Sequence, residues 1–412
     1  MIYQRHIADR IISSLKTSPV LFINGARQVG KSTLVHELLK NHPASYLTMD
    51  DLTALSAATK DPTAFVDNFS GPMALDEIQR VPEIFLPLKK LADEKNQPGF
   101  FILTGSSNIL TMPKISESLA GRMVIHTLFP LSQGEIKGEK INFIDLLFSG
   151  EKFPFSFTKL TPDELSKMLV IGGYPRVIQL AEMARKEWFA SYLNTILQRD
   201  IRDLSQIEGL TELPNLLSLI AERAGNLSNL ADLARVLKIN SSTLRRYYTL
   251  LKMVFLVVEL PAWCANKEKT LVKSPKVFLN DTGLLCHLLN LNETSLILDR
   301  AKMGHILENF VVMELMKQIG WSENSPRIYH FRTQDDHEVD VVLEGINRKI
   351  IGIEIKSSAA VDGSDFKGLE KLAAITRDNF LHGVVFYTGE HTISFGKNLT
   401  AVPLPALYAS HA

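Results

Sequence analysis

The chain has 412 residues, 45% hydrophobic and 22% charged, which fits roughly two to four ordered domains and excludes a long disordered polypeptide. Lysine plus arginine equal aspartate plus glutamate at 45 each, so no global positive field exists and a nucleic-acid partner has to be held by local basic patches. Two cysteines, Cys264 and Cys286, exclude a disulfide framework or a metal knuckle; with no signal-like apolar core at Met1-Ile2-Tyr3-Gln4-Arg5-His6 and no run of about eighteen apolar residues, a cytoplasmic protein away from membranes is expected.

Apolar residues at helical spacing predict a short helix over Ile7–Leu15. The apolar run Val20–Ile23 reads as a strand. It leads into Gly25-Ala26-Arg27-Gln28-Val29-Gly30-Lys31-Ser32-Thr33, and Leu34–Leu39 continues as a helix. Strand, glycine loop and helix in this order form a triphosphate site. The glycines let backbone N–H groups curl round a polyanion, Lys31 reaches the terminal phosphates, and the Ser32 hydroxyl ligates magnesium. Ser45–Met49 predicts a second strand and Leu52–Phe69 a helix that Gly71-Pro72 breaks. Met73–Asp76 is then a strand ending in Asp76 and Glu77, at the carboxyl edge of the sheet where the phosphates lie. Asp76 suits the water shell of magnesium and Glu77 the polarisation of an attacking water. An amphipathic helix over Ile84–Glu94 precedes the buried strand of Gly99–Thr104, which runs into Ser106, a hydroxyl placed to sense the terminal phosphate. Met123–Leu128 completes a wound sheet of about five strands.

Four stretches, GARQVGKST, ALDEIQ, FILTGSSN and SLAGR, stand in that order. They resemble the AAA-type ATPases of the bacterial and archaeal branch close to the origin-recognition and signalling ATPases, over residues 1 to about 200. The resemblance implies a P-loop, doubly wound parallel sheet over 1–130, a helical lid over 131–205, and ATP with magnesium lying between subunits of a homo-oligomer. It implies an arginine supplied in trans, for which Arg122 and Arg199 are the candidates. It also implies that Gly173 and Pro175, in the turn Ile171–Arg176, close the nucleotide pocket beside the adenine, with Pro175 opening a helix through Val177, Ile178 and Leu180.

Within 206–265, helices are expected over Leu216–Ala221 and Asn229–Leu237, with a third capped by Asn240 and running through Leu251. Met253–Pro261 alternates like the strands of a wing. A winged helix-turn-helix follows, with Arg245 and Arg246 on the would-be DNA-recognition helix; packing between subunits is the other use of such a module. Residues 266–299, including Ser274–Leu291, form a connector without assigned chemistry.

The tail, 300–412, holds a second set of acids. Glu354 and Lys356 project from one face of an isoleucine-rich strand, Asp340 lies on the strand Glu338–Leu343, and Glu308 joins the apolar stripe of a helix over Gly304–Ile319. This layout resembles the restriction-endonuclease-like α/β nucleases, although His337-Glu338-Val339-Asp340 stands where many have Pro-Asp. The resemblance implies magnesium held by Asp340 and Glu354, a site extended by Glu308, and Lys356 orienting the metal-bound water. The expected function is an ATPase acting on DNA, branched DNA included. The alternatives are an ATP-gated switch whose tail binds DNA or a protein without cutting, and an ATP-regulated, magnesium-dependent endonuclease.

Overall fold

The computed structural model describes residues 2–108, 121–202, 211–265 and 274–409. The chain divides into two compact units, Gln4–Pro130 with Leu250–Leu256, and Leu131–Thr249 with Val257–Ala412 and the first residues.

In the first unit five strands, β1 (Val20–Asn24), β2 (Ser45–Thr48), β3 (Met73–Asp76), β4 (Phe101–Gly105) and β5 (Met123–Thr127), form a parallel sheet in the order β2-β3-β4-β1-β5. Every residue of β1, β3 and β4 is buried, because crossover helices cover both faces of a parallel sheet. Phe22, Leu75, Phe101 and Leu103 pack on Phe85 and Leu88 of the helix Phe85–Lys95. The expected strands are therefore present within a residue or two. The helix expected over Leu52–Phe69 is two helices, Leu52–Lys60 and Pro62–Asp67. Pro62 has no N–H to continue the first helix and instead opens the second, whose N-cap is the Asp61 carboxylate.

The second unit begins with the helices Gln133–Lys137, Phe143–Ser149, Pro162–Ile171 and Glu182–Thr195. No helix follows Pro175 directly. Val177 and Leu180 close short turns onto Tyr174 and Val177, and Tyr174, fully buried, is bonded to Tyr192 and Asn280. These tertiary bonds hold the segment away from helical winding. Helices Leu213–Glu222, Leu230–Leu237 and Ser241–Met253 follow, the second capped by Asn229 and the third by Asn240, whose Oδ1 accepts from the Thr243 N–H.

Only the end of Met253–Pro261 is a strand, β6 (Val257–Leu260). The N–H groups of Val254 and Leu256 still bond to Leu250 and Leu251, so the helix spends those residues before the strand starts. The partner of β6 is β7 (Lys276–Leu279), antiparallel to it and drawn from the stretch assigned as connector.

The tail is a six-stranded mixed sheet: β8 (Arg327–Arg332), β9 (Glu338–Glu344), β10 (Ile350–Ile355), β11 (Phe380–Tyr387), β12 (Ile393–Gly396) and β13 (Leu399–Pro403), ordered β12-β13-β11-β10-β9-β8. β10, β11 and β13 are parallel, while β8, β9 and β10 run antiparallel. The helix Lys367–Thr376 makes the crossover from β10 to β11 and buries Leu369 and Leu372 against Val339 and Val385. The helix Arg300–Ile319 precedes the sheet. Among the described residues no helix is long and apolar enough to cross a membrane, and both cysteines are free thiols.

Candidate functional site

The glycine loop is shaped by positions that other residues resist. Gly25 has φ +149°, and a Cβ there would lie 2.1 Å from the Leu128 carbonyl oxygen. Gly30, at φ 98°, is the N-cap of the helix Lys31–Leu39. The buried Lys31 donates from Nζ to the carbonyl oxygens of Gly25 and Ala26, both at 3.0 Å. Gly25, Ala26, Val29 and Lys31 are buried while Gln28 and Thr33 are exposed, so the stretch from Gly25 to Thr33 combines anchored and open positions. Arg5 anchors it from outside the motif: its guanidinium donates to the Val29 carbonyl at 2.8 Å and to the Phe129 carbonyl at 2.7 Å.

Asp76 is the hub beside the loop. Its Oδ2 accepts from Ser32 Oγ at 2.8 Å and from the Tyr46 hydroxyl at 2.7 Å, and its Oδ1 accepts from Thr104 Oγ1. Burial, then the bond to Asp76, pushes the Tyr46 phenol above its ordinary range. The adjoining Ser32 hydroxyl and Asp76 carboxylate form a hard, all-oxygen donor pair, which fits magnesium. Glu77 sits in the left-handed region at φ 56°, and its N–H donates to Thr104 Oγ1 at 3.2 Å. Gln79 joins the expected water-polarising and sensing groups. Its Nε2 donates to Glu77 Oε2 and, at 3.0 Å, to Ser106 Oγ, while its Oε1 accepts from the Ser106 N–H at 3.3 Å. Lys31, Ser32, Asp76, Glu77 and Ser106 thus stand at or beyond the ends of β1, β3 and β4, with β4 lying between the other two. Arg5, Tyr46 and Gln79 were missed; the only signal for Gln79 was its place inside ALDEIQ.

Arg122 is paired with Asp93, the two side chains being 37% and 43% exposed. The Ser118, Leu119 and Ala120 of SLAGR lie outside the described residues. Arg199 is exposed on the π-helical turn Ile196–Asp200, a distortion often found at functional positions. The Gly173 N–H donates to Asp281 Oδ2 at 2.6 Å and its carbonyl accepts from the Leu131 N–H at 2.7 Å; Pro175 lies in the turns that follow. Arg245 and Arg246 are both exposed on the helix Ser241–Met253.

In the tail, Glu308 and Asp340 do converge, but on a lysine. Lys276 Nζ lies 2.7 Å from Glu308, 2.6 Å from Glu338 and 3.3 Å from Asp340. Glu354 pairs with Lys356 at 3.0 Å, and Asp340 Oδ2 accepts from the Ile355 N–H at 3.0 Å. Burial and the Asp340 charge push Glu308 up to about 8, and the same two causes push Glu354 up to about 8. Burial works against the charge of Lys276, but Asp340, Glu308 and Glu338 outweigh it and raise its pKa. Among the described residues no group of three or more His, Cys, Asp or Glu is placed to hold a metal ion. Asp340, expected to hold magnesium with Glu354, is bonded to Lys276 and to the Ile355 N–H, and Glu354 to Lys356. Lys276 and Glu338 were missed; a lysine opening the apolar Lys276-Val277-Phe278-Leu279 was the available signal.

Residues 17–137 match an AAA domain, residues 162–295 a domain of unknown function (DUF8612), and residues 303–407 another (DUF4143). Uncharacterized proteins of Mycobacterium tuberculosis and Mycobacterium bovis are each 28% identical over 98% of this chain and 84% of their own length. Among solved structures, a Walker-type ATPase of Pyrococcus abyssi is similar at TM-score 0.43 and 15% identity, over 70% of this chain and 96% of that one. The RuvB Holliday junction branch migration motor of Thermotoga maritima is similar at TM-score 0.30 and 18% identity, over 62% of this chain and 89% of that one. The chain thus carries an AAA-type P-loop ATPase domain, followed by two domains to which no function is assigned.

Proposed function

We propose that the chain hydrolyses ATP and uses that turnover to act on DNA, through a winged helix formed by its three middle helices with β6 and β7, and through an endonuclease-like tail. The observation that carries the ATP half is the Asp76 hub, bonded to Ser32 across the mouth of the glycine loop with Glu77 and Ser106 linked beside it through Gln79. Ser32 and Asp76 would hold magnesium, which when bound offsets charge on the phosphates. Lys31 exchanges two backbone carbonyls for the terminal phosphates, Glu77 orients the attacking water, and Ser106 reads whether the last phosphate is present. Gly173 and Pro175 are the candidates beside the adenine. Arg122 and Arg199 are the candidates for a cation supplied by a second copy of the chain, which makes a homo-oligomer the working state.

The DNA half is supported by Arg245 and Arg246, two adjacent exposed cations on the helix that would enter a groove. The test is ATP turnover by the full chain with magnesium and linear, forked or four-way DNA. DNA should raise turnover severalfold, and Glu77→Gln should abolish it while nucleotide binding persists. Turnover that no DNA changes, with no DNA bound, overturns this half. The Lys276 contacts favour a second reading, in which the tail binds without cutting and ATP sets a conformation. Slow turnover indifferent to DNA, with assembly that changes on adding nucleotide, would select it.

A further inference from the structure

Lys276 Nζ donates to Glu308 Oε1 at 2.7 Å and to Asp340 Oδ1 at 3.3 Å, and forms an ion pair with Glu338 at 2.6 Å, so a single ammonium faces three acids. The residue is 4% exposed. The acids come from two elements, the helix Arg300–Ile319 and neighbouring same-face positions of β9. The lysine comes from a third. β7 pairs with β6 so that Lys276 stands opposite Leu260, and Lys276 also bridges to Leu227.

The loop before Leu227 closes over the same acids. The Gly225 N–H donates to the Val277 carbonyl at 2.8 Å, and a Cβ on Gly225, at φ +81°, would lie 2.9 Å from Glu308 Oε2. Beside this group Glu354 Oε2 is buried without a hydrogen-bond partner. Of the two acids expected to share a metal, Asp340 is bonded through both oxygens, to Lys276 and to the Ile355 N–H, while Glu354 keeps one oxygen unpartnered beside Lys276. Magnesium takes six oxygens at about 2.0–2.1 Å, and the ammonium competes with it for Glu308 Oε1 and Asp340 Oδ1. A divalent ion among them would also face that ammonium at close range in a poorly solvated site.

We propose that Lys276 is the resident cation of the tail's acidic centre, a bolt that excludes divalent metal, so that a metal site forms there only when the Lys276 charge is removed or β7 withdraws. The inference takes its acid layout from the endonuclease-like reading of the tail, and does not depend on ATP turnover.

The test uses the full chain without nucleotide, titrated with Mn2+ while free Mn2+ is followed by electron paramagnetic resonance. Wild type and Asp340→Asn should bind the same number of ions. Lys276→Gln should bind one more, at least tenfold tighter than any ion taken by that centre in wild type, and Lys276→Gln/Asp340→Asn should lose it. A Mn2+ site in wild type that Asp340→Asn removes overturns the proposal. So does a Lys276→Gln protein that stays folded by circular dichroism and gains no site. Should Lys276→Gln not fold, amine acylation of native wild type decides instead: Lys276 stays unmodified with and without Mn2+ if it is the resident cation, and ready modification in the absence of metal overturns that. A loss of DNA-stimulated ATP turnover would count against the motor reading alone, since none of these readouts involves ATP.

Discussion

At the scale of single residues, the nucleotide site is a set of oxygens and one lysine whose positions are set by partners outside the motifs. Lys31→Ala should lower ATP turnover by roughly 100-fold or more, because the ammonium proposed to meet the terminal phosphates is removed. Gln79→Ala is the sharper experiment. Gln79 is a positioning residue that joins Glu77 to Ser106, so its loss should lower kcat roughly tenfold while KM for ATP holds, in steady-state phosphate release. His126 gives a pH prediction for the same unit. Its Nε2 lies 2.8 Å from Ser14 Oγ, and burial, with the Arg10 charge second, pushes it down to about 4. The imidazole is therefore neutral in the folded chain and charges more easily in the unfolded one. Its contribution to stability is complete above pH 6.5 and is lost as pH falls towards 4, up to about 3 kcal/mol. Chemical denaturation between pH 7 and 4 should show a smaller loss in His126→Asn than in wild type.

At the scale of elements, loops and caps bear on sites they do not belong to. Arg5 stands before the first helix, Ala8–Leu15, yet its two hydrogen bonds tie down Val29 of the glycine loop and Phe129 after β5. Arg5→Ala should cost about 1–3 kcal/mol in denaturant unfolding and weaken ATP binding, read by titration calorimetry, because charged hydrogen bonds to two carbonyls are lost. Gly225 is the corresponding position in the second unit. Gly225→Ala combines a left-handed backbone with a methyl 2.9 Å from Glu308 Oε2, and should lower stability by about 1–3 kcal/mol in the same assay. Gly71→Ala, where a Cβ meets nothing within 4 Å, is the control and should change little.

At the scale of the whole molecule, the division into units does not follow the chain. Leu250–Leu256 belongs to the nucleotide-binding unit although about 120 residues separate it from the rest, and all of its side chains but Lys252 are buried. Within that unit the Asn108 N–H donates to the Met253 carbonyl at 2.7 Å. A fragment ending at Pro130 lacks this strip. It should melt at least several degrees lower than one supplying Leu250–Leu256 through a linker, and exposed apolar surface should make it aggregate in light scattering.

Local chemistry made much of this legible. Gly25, Gly30, Lys31 and Ser32 are adjacent in sequence because a phosphate cradle is built from consecutive backbone groups, and the buried parallel strands announce themselves as short apolar runs ending in polar residues. Glu308, Asp340 and Glu354 could be singled out because charge on an apolar stripe or strand is costly to bury without a partner. Pairings across long separations could not be read that way. Lys276 meets acids 32, 62 and 64 positions further on, and β6 finds its partner strand in β7, beyond the expected wing. Sequence by itself determined the triphosphate loop, the succession of motifs along the chain and the presence of a second set of acids, since those depend on residue type and periodicity. Only the tertiary structure decided that Lys276 stands among those acids, because that cation is supplied by a strand far from them in sequence.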